Sequence, residues 1–381
     1  MALALAACHG GSGSSAGGGT TSSVPTSSAA TTTTTVTAAG PAIAFSTQGD
    51  ELDAYPTTRP FATQVVVPSA DADRDGVDVS GQICFDPTDP TRFVAVDRTA
   101  AADAQVGWGV FDLSGSTLGK LGASETARLV PTFQPSADAP TPFGCAFLPD
   151  GRLLTTDLGN RTGGNANGQL VEWFPPLDRE RVPSCKVAVT LAAPEGVLVD
   201  ADHVLVAESR GRGITSFLTS TLPSAASPAG GCSQRDATHA LIAFGVVHTS
   251  LVANAATLGL ANPAVLVRAH NGDLLVSTPR TGAITEITAD GHFVRRVLAP
   301  ATSALGTRPF ANGTPVGLAV APDGALYYAD AGFERRGATV VPGVRAGTIR
   351  RIAFVGNRPL LPEVVGSGLH DPEGLAMWEA Q

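Results

Sequence analysis

A short unit that recurs through most of this chain constrains its fold more than any other feature. Its clearest copy is TPVGLAVAPDGALYYAD, residues 314–330, in which a Pro-x-Gly opening is followed by two apolar runs and a final acid. The turn Pro322-Asp323-Gly324 separates the two runs. This pattern indicates a β-hairpin, because glycine supplies the positive φ that tight turns need. A single hairpin is unstable in water, so the repetition of the unit decides the architecture.

The unit recurs along the chain, and its last copy is incomplete. The other copies are TPFGCAFLPDGRLLTTD, APEGVLVDADHVLVAE, NPAVLVRAHNGDLLVST, SGQICFDPTDPTRFVAVD and the opening DPEGLAMW near the C-terminus. Five copies open at Pro142, Pro194, Pro263, Pro315 and Pro372, so successive openings lie 52, 69, 52 and 57 residues apart. These intervals exceed the ~40–45 residues of WD repeats. Each unit therefore holds more than one hairpin.

Two further β-rich runs follow each hairpin. Third runs include NGQLVEWF and TGAITEIT, and fourth runs include CKVAVTLA, LIAFGVV and HFVRRVLA. Four strands per unit, with no helical periodicity between them, predict an all-β, six-bladed β-propeller with four-stranded blades. The last blade lacks its later strands, and N-terminal strands, offered by Phe61 to Ser69, are expected to close it and remove its exposed edge. An open all-β array or a two-sheet sandwich is the alternative.

The N-terminal residues differ in composition from the rest. Residues 9–40 contain no acid, lysine or arginine, which predicts a disordered Gly/Ser/Thr tether. The preceding Leu5-Ala6-Ala7-Cys8 resembles the lipobox of bacterial lipoproteins, in which the cysteine is lipidated. The positive n-region and full apolar region of a signal peptide are missing, so an accidental match is the alternative.

These observations divide the chain into three segments. We expect the remnant of a lipoprotein-type signal at residues 1–8, the tether at 9–40 and a single propeller domain at 41–381. The resemblance to a lipobox implies lipidation at Cys8 and a location on the extracytoplasmic side of a bacterial envelope, in the periplasm or on the cell surface.

The charge balance narrows the range of partners. The chain has 34 acids against 25 bases, a net charge of −9, and no run of lysine or arginine. An acidic chain of this kind argues against nucleic acid as the main partner. No apolar run approaches the ~18 residues of a membrane-spanning helix, so the membrane is expected to be reached through the lipid anchor only. We expect a monomer that binds a small polar ligand or a protein.

Four cysteines follow the tether. In an oxidising compartment they allow three pairings. Cys84 and Cys145 fall at nearly equivalent places on the innermost strands of adjacent blades, which is typical of buried free cysteines. Cys185 and Cys232 flank the third blade in less regular sequence, and we predict a disulfide between them.

The repeat, best developed from Thr314 to Phe354, resembles that of the NHL and gluconolactonase (senescence marker protein) group of six-bladed propellers. In gluconolactonase-like enzymes, acidic or amide residues at the middle position of several Pro-x-Gly openings hold a divalent metal at the channel mouth. The matching positions here are Phe143, Glu195, Ala264, Val316 and Glu373. The resemblance implies a cation such as calcium at Glu195 and Glu373, with carbonyls and water supplying most of its usual six to eight oxygens.

Two other chemical readings of the sequence are weaker. Soluble sugar dehydrogenases that use pyrroloquinoline quinone also share some likeness, but their cofactor-contacting histidine and basic cluster have no match here. The string from Asp71 to Gly76 fits the first half of a calcium loop, yet its twelfth position is Gln82 instead of glutamate. A solvated acidic turn is the alternative to a structural calcium loop there.

One face of the predicted propeller collects arginines. The loops after the second strands carry Arg98, Arg161, Arg210, Arg212, Arg280, Arg335, Arg336 and Arg345, and the second strands end in Asp97, Asp157, Glu208 and Asp330. A guanidinium group binds carboxylate or phosphate through two parallel hydrogen bonds, so these loops predict an anion-binding rim. The alternative is that each arginine pairs with a strand-end acid, and that these acids cap loop N–H groups.

The sequence leaves two functions open. The first is a surface-tethered propeller that binds a polar or anionic ligand, such as a carbohydrate, a small molecule or a protein, through its arginines. The second is a metal-dependent lactonase or ester hydrolase that uses Glu195 and Glu373. There is no G-x-S-x-G nucleophile motif, and His370, near Asp371 and Glu373, is the one histidine placed for catalysis. Whether the protein is an enzyme stays undecided at this point.

Overall fold

The computed structural model describes the chain from Ala42 to Glu379 with gaps. The described residues are 42–47, 52–57, 59, 61, 64–67, 79–97, 107–113, 124–129, 141–159, 167–179, 181–211, 213–235, 240–300, 310–337 and 339–379. All of them belong to one compact unit, Thr37–Gln381. Cys8, the predicted tether and the string Asp71 to Gly76 lie outside the described residues.

Strands make up nearly all of the regular structure. The first eleven are β1 (Ala42–Thr47), β2 (Leu52–Pro56), β3 (Gln64–Val67), β4 (Val79–Asp86), β5 (Asp89–Asp97), β6 (Gly107–Asp112), β7 (Ser124–Leu129), β8 (Pro142–Phe147), β9 (Leu153–Asp157), β10 (Gly168–Trp173) and β11 (Ser184–Leu191). The next ten are β12 (Pro194–Asp200), β13 (His203–Glu208), β14 (Gly213–Leu218), β15 (Cys232–Arg235), β16 (Leu241–Ala243), β17 (His248–Val252), β18 (Leu266–Arg268), β19 (Leu274–Thr278), β20 (Ala283–Ile287) and β21 (Phe293–Leu298).

The C-terminal part continues the series. Its strands are β22 (Pro315–Val320), β23 (Leu326–Asp330), β24 (Phe333–Arg336), β25 (Thr339–Pro342), β26 (Gly347–Ile352), β27 (Phe354–Val355), β28 (Arg358–Pro359), β29 (Glu363–Leu369) and β30 (Leu375–Glu379). Within the described ranges the helices are three short 3₁₀ turns, Thr219–Thr221, Pro228–Gly230 and Ala255–Leu258. None of these helices is long and apolar enough to cross a membrane.

The sheets form an all-β propeller. Five sheets have four strands each, in the orders β4-β5-β6-β7, β12-β13-β14-β17, β18-β19-β20-β21, β22-β23-β26-β29 and β30-β1-β2-β3. These five match the predicted four-stranded blade. Where a further four-stranded blade was expected, the sheet has six strands, in the order β8-β9-β10-β11-β16-β15. The strands β4, β8, β12, β18, β22 and β30 adjoin one another in that order, and β30 adjoins β4, so the ring closes.

The two extra strands come from the segment that connects two strands of the neighbouring sheet. β15 and β16 lie in the long connection between β14 and β17, yet they extend the sheet that contains β11. β16 runs parallel to β11, with Lys186 opposite Ile242. The run LIAFGVV, which contains β16, was expected to be the fourth strand of its own blade, and this was wrong: β16 pairs with β11, and β17 takes the fourth place beside β14. Sequence order placed the run in its own unit, because its pairing with β11 depends on residues far away in the chain.

The two ends of the propeller carry different parts of the repeated unit. We call the end at which β22 begins, where Pro315 lies opposite Asp330, the upper face. The opposite end, where Val320 lies opposite Leu326, is the lower face. The first strands of the other sheets run the same way, as in the pairing of Pro142 with Asp157. The Pro-x-Gly openings and the strand-end acids are therefore at the upper face, and the Asp-Gly turns are at the lower face.

The ends of the chain meet in one sheet. The C-terminal strand β30 pairs antiparallel with β1, with Leu375 opposite Ser46 and Ala42 opposite Glu379. N-terminal strands thus complete the sheet that the C-terminal strand begins. The segment from Phe61 to Ser69 was expected to make this closure, but it holds only the outermost strand, β3. The run that contacts β30 directly was missed because AIAFST is short and follows a low-complexity stretch.

Glycines of the openings let neighbouring sheets approach each other. Gly144, Gly196, Gly317 and Gly374 each lie against the main chain of the next sheet, where a Cβ would collide with it. Side chains reinforce two of these junctions. Thr156 Oγ1 accepts the N–H of Gly144 at 2.8 Å and donates to the carbonyl of Glu195 in the next sheet at 2.5 Å. Ser277 Oγ donates to the carbonyl of Val316 at 3.0 Å in the same way.

Among the described residues there are two disulfides, one between two strands of the same sheet and one between neighbouring sheets. Cys185 and Cys232 are bonded, with Cα atoms 6.2 Å apart, and join β11 to the inserted β15. Cys84 and Cys145 are also bonded, with Cα atoms 5.9 Å apart. The expectation that Cys84 and Cys145 are free buried cysteines was therefore wrong. Their equivalent positions on adjacent innermost strands bring the two side chains together across the junction between sheets.

Candidate functional site

The strand-end acids bind the main chain of their own sheets. Asp157 Oδ2 accepts the N–H of Thr141 at 2.6 Å, and Asp330 Oδ1 accepts the N–H of Thr314 at 2.8 Å. In each pair the acid follows the donor by 16 residues. An ionised carboxylate that accepts backbone N–H bonds holds the donor segment strongly. These acids fasten the chain where it enters the first strand of each sheet.

Glu208 repeats this arrangement. Its Oε2 accepts the N–H of Ala192 at 2.7 Å, again 16 residues earlier, and its Oε1 accepts from the hydroxyl of Thr215. Ala192 lies two residues before the opening proline Pro194, whereas Thr141 lies one residue before Pro142, so the longer glutamate binds the chain one residue further from the opening. Capping by the strand-end acids, which the sequence left open as an alternative to ligand binding, therefore describes the contacts of Asp157, Glu208 and Asp330.

The arginine closest to Asp330 is not one that the sequence singled out. Arg350, on β26, donates from Nη2 to Asp330 Oδ2 at 2.9 Å, and Thr348 donates to the same oxygen at 3.1 Å. Both donors stand on the strand beside β23. The sequence signal for this pair is the alternation along β26, which places Thr348 and Arg350 on the same side of the strand.

Five of the eight predicted rim arginines are among the described residues, and these five lie on the upper face in three neighbouring sheets. Arg210 is half-buried and follows β13, Arg280 is exposed and follows β19, and Arg336 is exposed on β24. Arg335 precedes Arg336 on the same strand, and its side chain is not described. Arg345 is exposed in the turn before β26. Arg98, Arg161 and Arg212 lie outside the described residues.

Asn262 connects two of the arginine-bearing loops. Its Nδ2 donates to the carbonyl of Ser209, next to Arg210, at 2.6 Å, and its Oδ1 accepts from Arg280 Nη1 at 3.5 Å. Asn262 has a φ of 64°, a conformation that asparagine tolerates better than most residues. Sequence reasoning missed this residue, although the Asn-Pro pair just before the opening at Pro263 marks such a turn.

The loop that carries Arg335 and Arg336 is a second hairpin. β24 and β25 pair antiparallel between the second and third strands of their sheet, with Arg336 opposite Thr339. Arg336 forms an ion pair of 2.6 Å with Glu334 on the same strand. An exposed pair of this kind contributes ~1 kcal/mol or less, so it leaves the guanidinium able to change partners. The connection between β23 and β26 therefore forms a hairpin arm on the upper face.

The two carboxylates of the metal hypothesis have different surroundings. Glu373 is buried, with 6% of its surface exposed, and its Oε2 accepts the N–H of Gly81 in the adjoining sheet at 3.0 Å. Glu195 is half-buried on β12. β12 and β30 are three sheets apart in either direction round the ring. Among the described residues, no group of three or more histidine, cysteine or acidic side chains is arranged to hold a metal.

His370 also lies at the upper face, before the opening at Pro372. Its side chain is exposed, and Asp371 after it adopts a φ of 47°. A catalytic role for His370 stays a prediction, as do the binding and metal-binding roles of the other upper-face residues.

The strongest perturbation of a carboxyl pKa lies away from this face. Glu172, on β10, is fully buried, and burial raises its pKa to about 8 although Arg152 opposes the shift. Arg152 Nη1 donates to Glu172 Oε1 at 2.6 Å from the Asp-Gly turn at the lower face. Arg152 also donates to the carbonyl of Pro223 in the connection that follows β14. This cluster joins neighbouring sheets and is separate from the arginine-bearing loops.

Comparisons with known proteins show the fold and no closer relationship. No protein-family model matches the chain, and no curated protein matches it in sequence. A solved structure of a luciferin-regenerating enzyme is 12% identical with a TM-score of 0.52, over 91% of this chain and 98% of that one. A chain in the nidogen/laminin complex is 12% identical with a TM-score of 0.53, over 89% of this chain and 99% of that one. A streptogramin B lyase structure is 13% identical with a TM-score of 0.45, over 87% of this chain and 81% of that one.

Proposed function

We propose that this chain is an extracytoplasmic, lipid-anchored, six-bladed propeller that binds a polar or anionic ligand at its upper face. One observation carries the binding proposal. The strand-end acids Asp157, Glu208 and Asp330 accept hydrogen bonds from the main chain of their own sheets. Arg280, Arg336 and Arg345 meanwhile stand exposed on the same face. A face that presents guanidinium groups suits carboxylate or phosphate.

The blade count is part of the proposal. We assign the six-stranded sheet as the sixth blade, because β8 stands between β4 and β12 in the ring. Its strands β8 to β11 have the same order as the four strands of the other sheets. In this assignment β15 and β16 are an addition to the outer edge of the blade, and the Cys185–Cys232 disulfide fastens them there.

The location rests on two observations. Cys8 stands in a lipobox-like segment before a tether-like composition. The Cys84–Cys145 and Cys185–Cys232 disulfides are typical of oxidising compartments. Both observations support an extracytoplasmic protein that is anchored through its N-terminus.

The alternative function is a metal-dependent lactonase or ester hydrolase at the channel mouth. Glu195, half-buried on an innermost strand, is the feature that favours it. Glu373 favours it less, because its carboxylate already accepts the N–H of Gly81. We therefore rank binding at the arginine-bearing loops above hydrolysis.

Calorimetry with matched ligands tests the binding proposal. The probes are an oligosaccharide of uronic acids and the corresponding neutral oligosaccharide, titrated into the wild-type chain and into an Arg335→Gln/Arg336→Gln double variant. We expect the anionic probe to bind more tightly, and the double variant to lose roughly tenfold or more in affinity, because charged hydrogen bonds are removed. Both arginines are replaced together because a neighbour can mask the loss of one.

An Arg358→Gln variant is the control, because Arg358 is exposed at the lower face. Equal affinity for the two probes, or an equal loss in the control, would contradict binding by the upper-face arginines. Stoichiometric calcium that is lost in a Glu195→Gln/Glu373→Gln variant together with lactone hydrolysis would favour the enzyme.

A further inference from the structure

Exposed apolar side chains concentrate at the lower face. Among the described residues, ten large apolar side chains are exposed. Eight of them lie at the starts of the outermost strands β17, β21 and β29 or in the segments just before these strands. They are Phe244, Val247, Phe293, Val294, Val355, Leu360, Leu361 and Val364. These three strands belong to neighbouring sheets and begin at the lower face. Apolar surface grouped in this way marks an interaction site more often than scattered residues do.

The most exposed group is the hairpin of β27 and β28 with the residues that follow it. Leu361 is 91% exposed, Val355 is 66% exposed and Leu360 is 46% exposed. Arg295 from the neighbouring sheet lies over the ring of Phe354 at 5.9 Å and supports the base of the hairpin. The hairpin turns at Gly356 and Asn357, with Val355 opposite Arg358. The two leucines follow at its base, where the N–H of Leu360 donates to the carbonyl of Ala353 at 2.8 Å.

Charges beside this hairpin leave it able to approach a phospholipid surface. Arg358 is exposed at the turn of the hairpin, and a long guanidinium side chain can reach phosphate groups while its neighbours enter the apolar layer. Glu363, next to the leucines, is paired with Arg59. Asp323, in the nearest Asp-Gly turn, is paired with Arg351 at 2.7 Å. These two carboxylates are thus balanced by arginines, whereas Asp290, before Phe293, has His292 beside it.

The N-terminal part of the chain leads to the same face. β1 begins at Ala42, which lies opposite Glu379 at the lower end of β30. The residues before Ala42, including Cys8, are therefore joined to the propeller at its lower face. A lipid at Cys8 would hold the protein near the membrane by a tether that enters the propeller at this face.

We propose that the lower face docks directly on a phospholipid bilayer, with Val355, Leu360 and Leu361 contacting the apolar interface and the side chain of Arg358 binding phosphate groups. In this contact, apolar burial contributes more to the binding free energy than the electrostatic interaction does. The contact involves the opposite end of the propeller from the proposed ligand site and does not depend on that site.

Vesicle sedimentation of the full chain tests the docking surface. A Cys8→Ser background removes any acyl chain, so that only the polypeptide binds. The probe is vesicles of phosphatidylethanolamine and phosphatidylglycerol, at low and at high salt. We expect measurable binding that persists in high salt. The Leu360→Ser/Leu361→Ser variant should lose roughly tenfold or more in vesicle affinity, because serine lacks the apolar groups that leucine transfers from water into the interface. Leu361→Trp should retain or strengthen binding, since tryptophan favours the interface.

Val344→Ser is the matched control, because Val344 is 71% exposed but lies at the upper face. Equal losses in this control and in the double serine variant, binding that disappears in high salt, or no binding at all would each overturn the proposal. A dimer in solution that the double serine variant dissociates would also overturn it, because a second copy of the chain would then cover the leucines.

Discussion

Gly144 faces the carbonyl oxygen of Glu195 in the next sheet so closely that a Cβ on Gly144 would lie 2.1 Å from that oxygen. The same glycine donates its N–H to Thr156, whose hydroxyl also donates to Glu195. The glycine of the Pro-x-Gly opening is therefore required for the packing of neighbouring sheets. Its repetition reflects the closure of a ring more than the chemistry of a site.

Gly144→Ala should destabilise the fold strongly. The added methyl group meets main-chain atoms that cannot rotate away, and such overpacking costs about 3 kcal/mol or more. Denaturant unfolding measures the loss. Gly337→Ala is the control: Gly337 has a φ of 63° but open space around it, so only the backbone conformation is penalised. A smaller loss for Gly144→Ala than for Gly337→Ala would contradict the role of the close contact.

Truncation at the N-terminus should have no effect until it reaches the paired strands. Removing residues 1–40 should leave the melting temperature nearly unchanged, because their composition offers no apolar pattern that could pack. Removing residues 1–56 deletes β1 and β2 and leaves β30 with an open edge, so the protein should melt at a clearly lower temperature. Equal melting temperatures for the two truncations would show that closure by β1 is not needed for stability.

Glu172 should make stability fall with rising pH. Burial raises its folded-state pKa to about 8 from an ordinary value of 4.5, despite the contact with Arg152. The folded protein therefore holds a proton that the unfolded chain releases. The stabilising contribution is fully present below pH 4.5 and is lost as the pH rises through 8.

Glu172→Gln, which cannot ionise, provides the comparison. Thermal unfolding of both proteins between about pH 5 and pH 9 should show the wild type losing stability relative to the variant. Parallel curves would mean that Glu172 ionises in the folded state as readily as in the unfolded chain. Asp290→Asn at an exposed turn should show no such divergence in the alkaline range, because hydrogen bonding to Thr288 lowers the pKa of Asp290.

Both disulfides should contribute to stability. They join residues 61 and 47 positions apart, so each constrains a long loop of the unfolded chain. Replacing either pair by alanine should lower the free energy of unfolding by about 2–5 kcal/mol. Denaturant unfolding of Cys84→Ala/Cys145→Ala and Cys185→Ala/Cys232→Ala, without reductant, measures the two losses. Peptide mapping of non-reduced protein from its natural source checks the pairing, and alkylation of all four thiols there would refute it.

The strand pattern and the turns were readable from the sequence because they depend on neighbours in the chain. The alternation of apolar residues, the Asp-Gly turns and the spacing of the Pro-x-Gly openings predicted an all-β propeller and placed acids at the ends of second strands. The run AIAFST and the strand β15 were missed, and the run that contains β16 was placed in the wrong sheet. Each is a short segment whose strand conformation comes from pairing with residues far away in the chain.

Contacts across the junctions between sheets were decided only by the tertiary structure. The spacing of Cys84 and Cys145 suggested equivalent positions, yet it did not show that adjacent innermost strands approach closely enough for a bond. Likewise, the sequence placed Asp330 near arginines but did not say that Arg350 would be its partner. Residue type and local spacing set which strands and turns form. Which side chains meet depends on the curvature and closure of the ring, a property of all the sheets together.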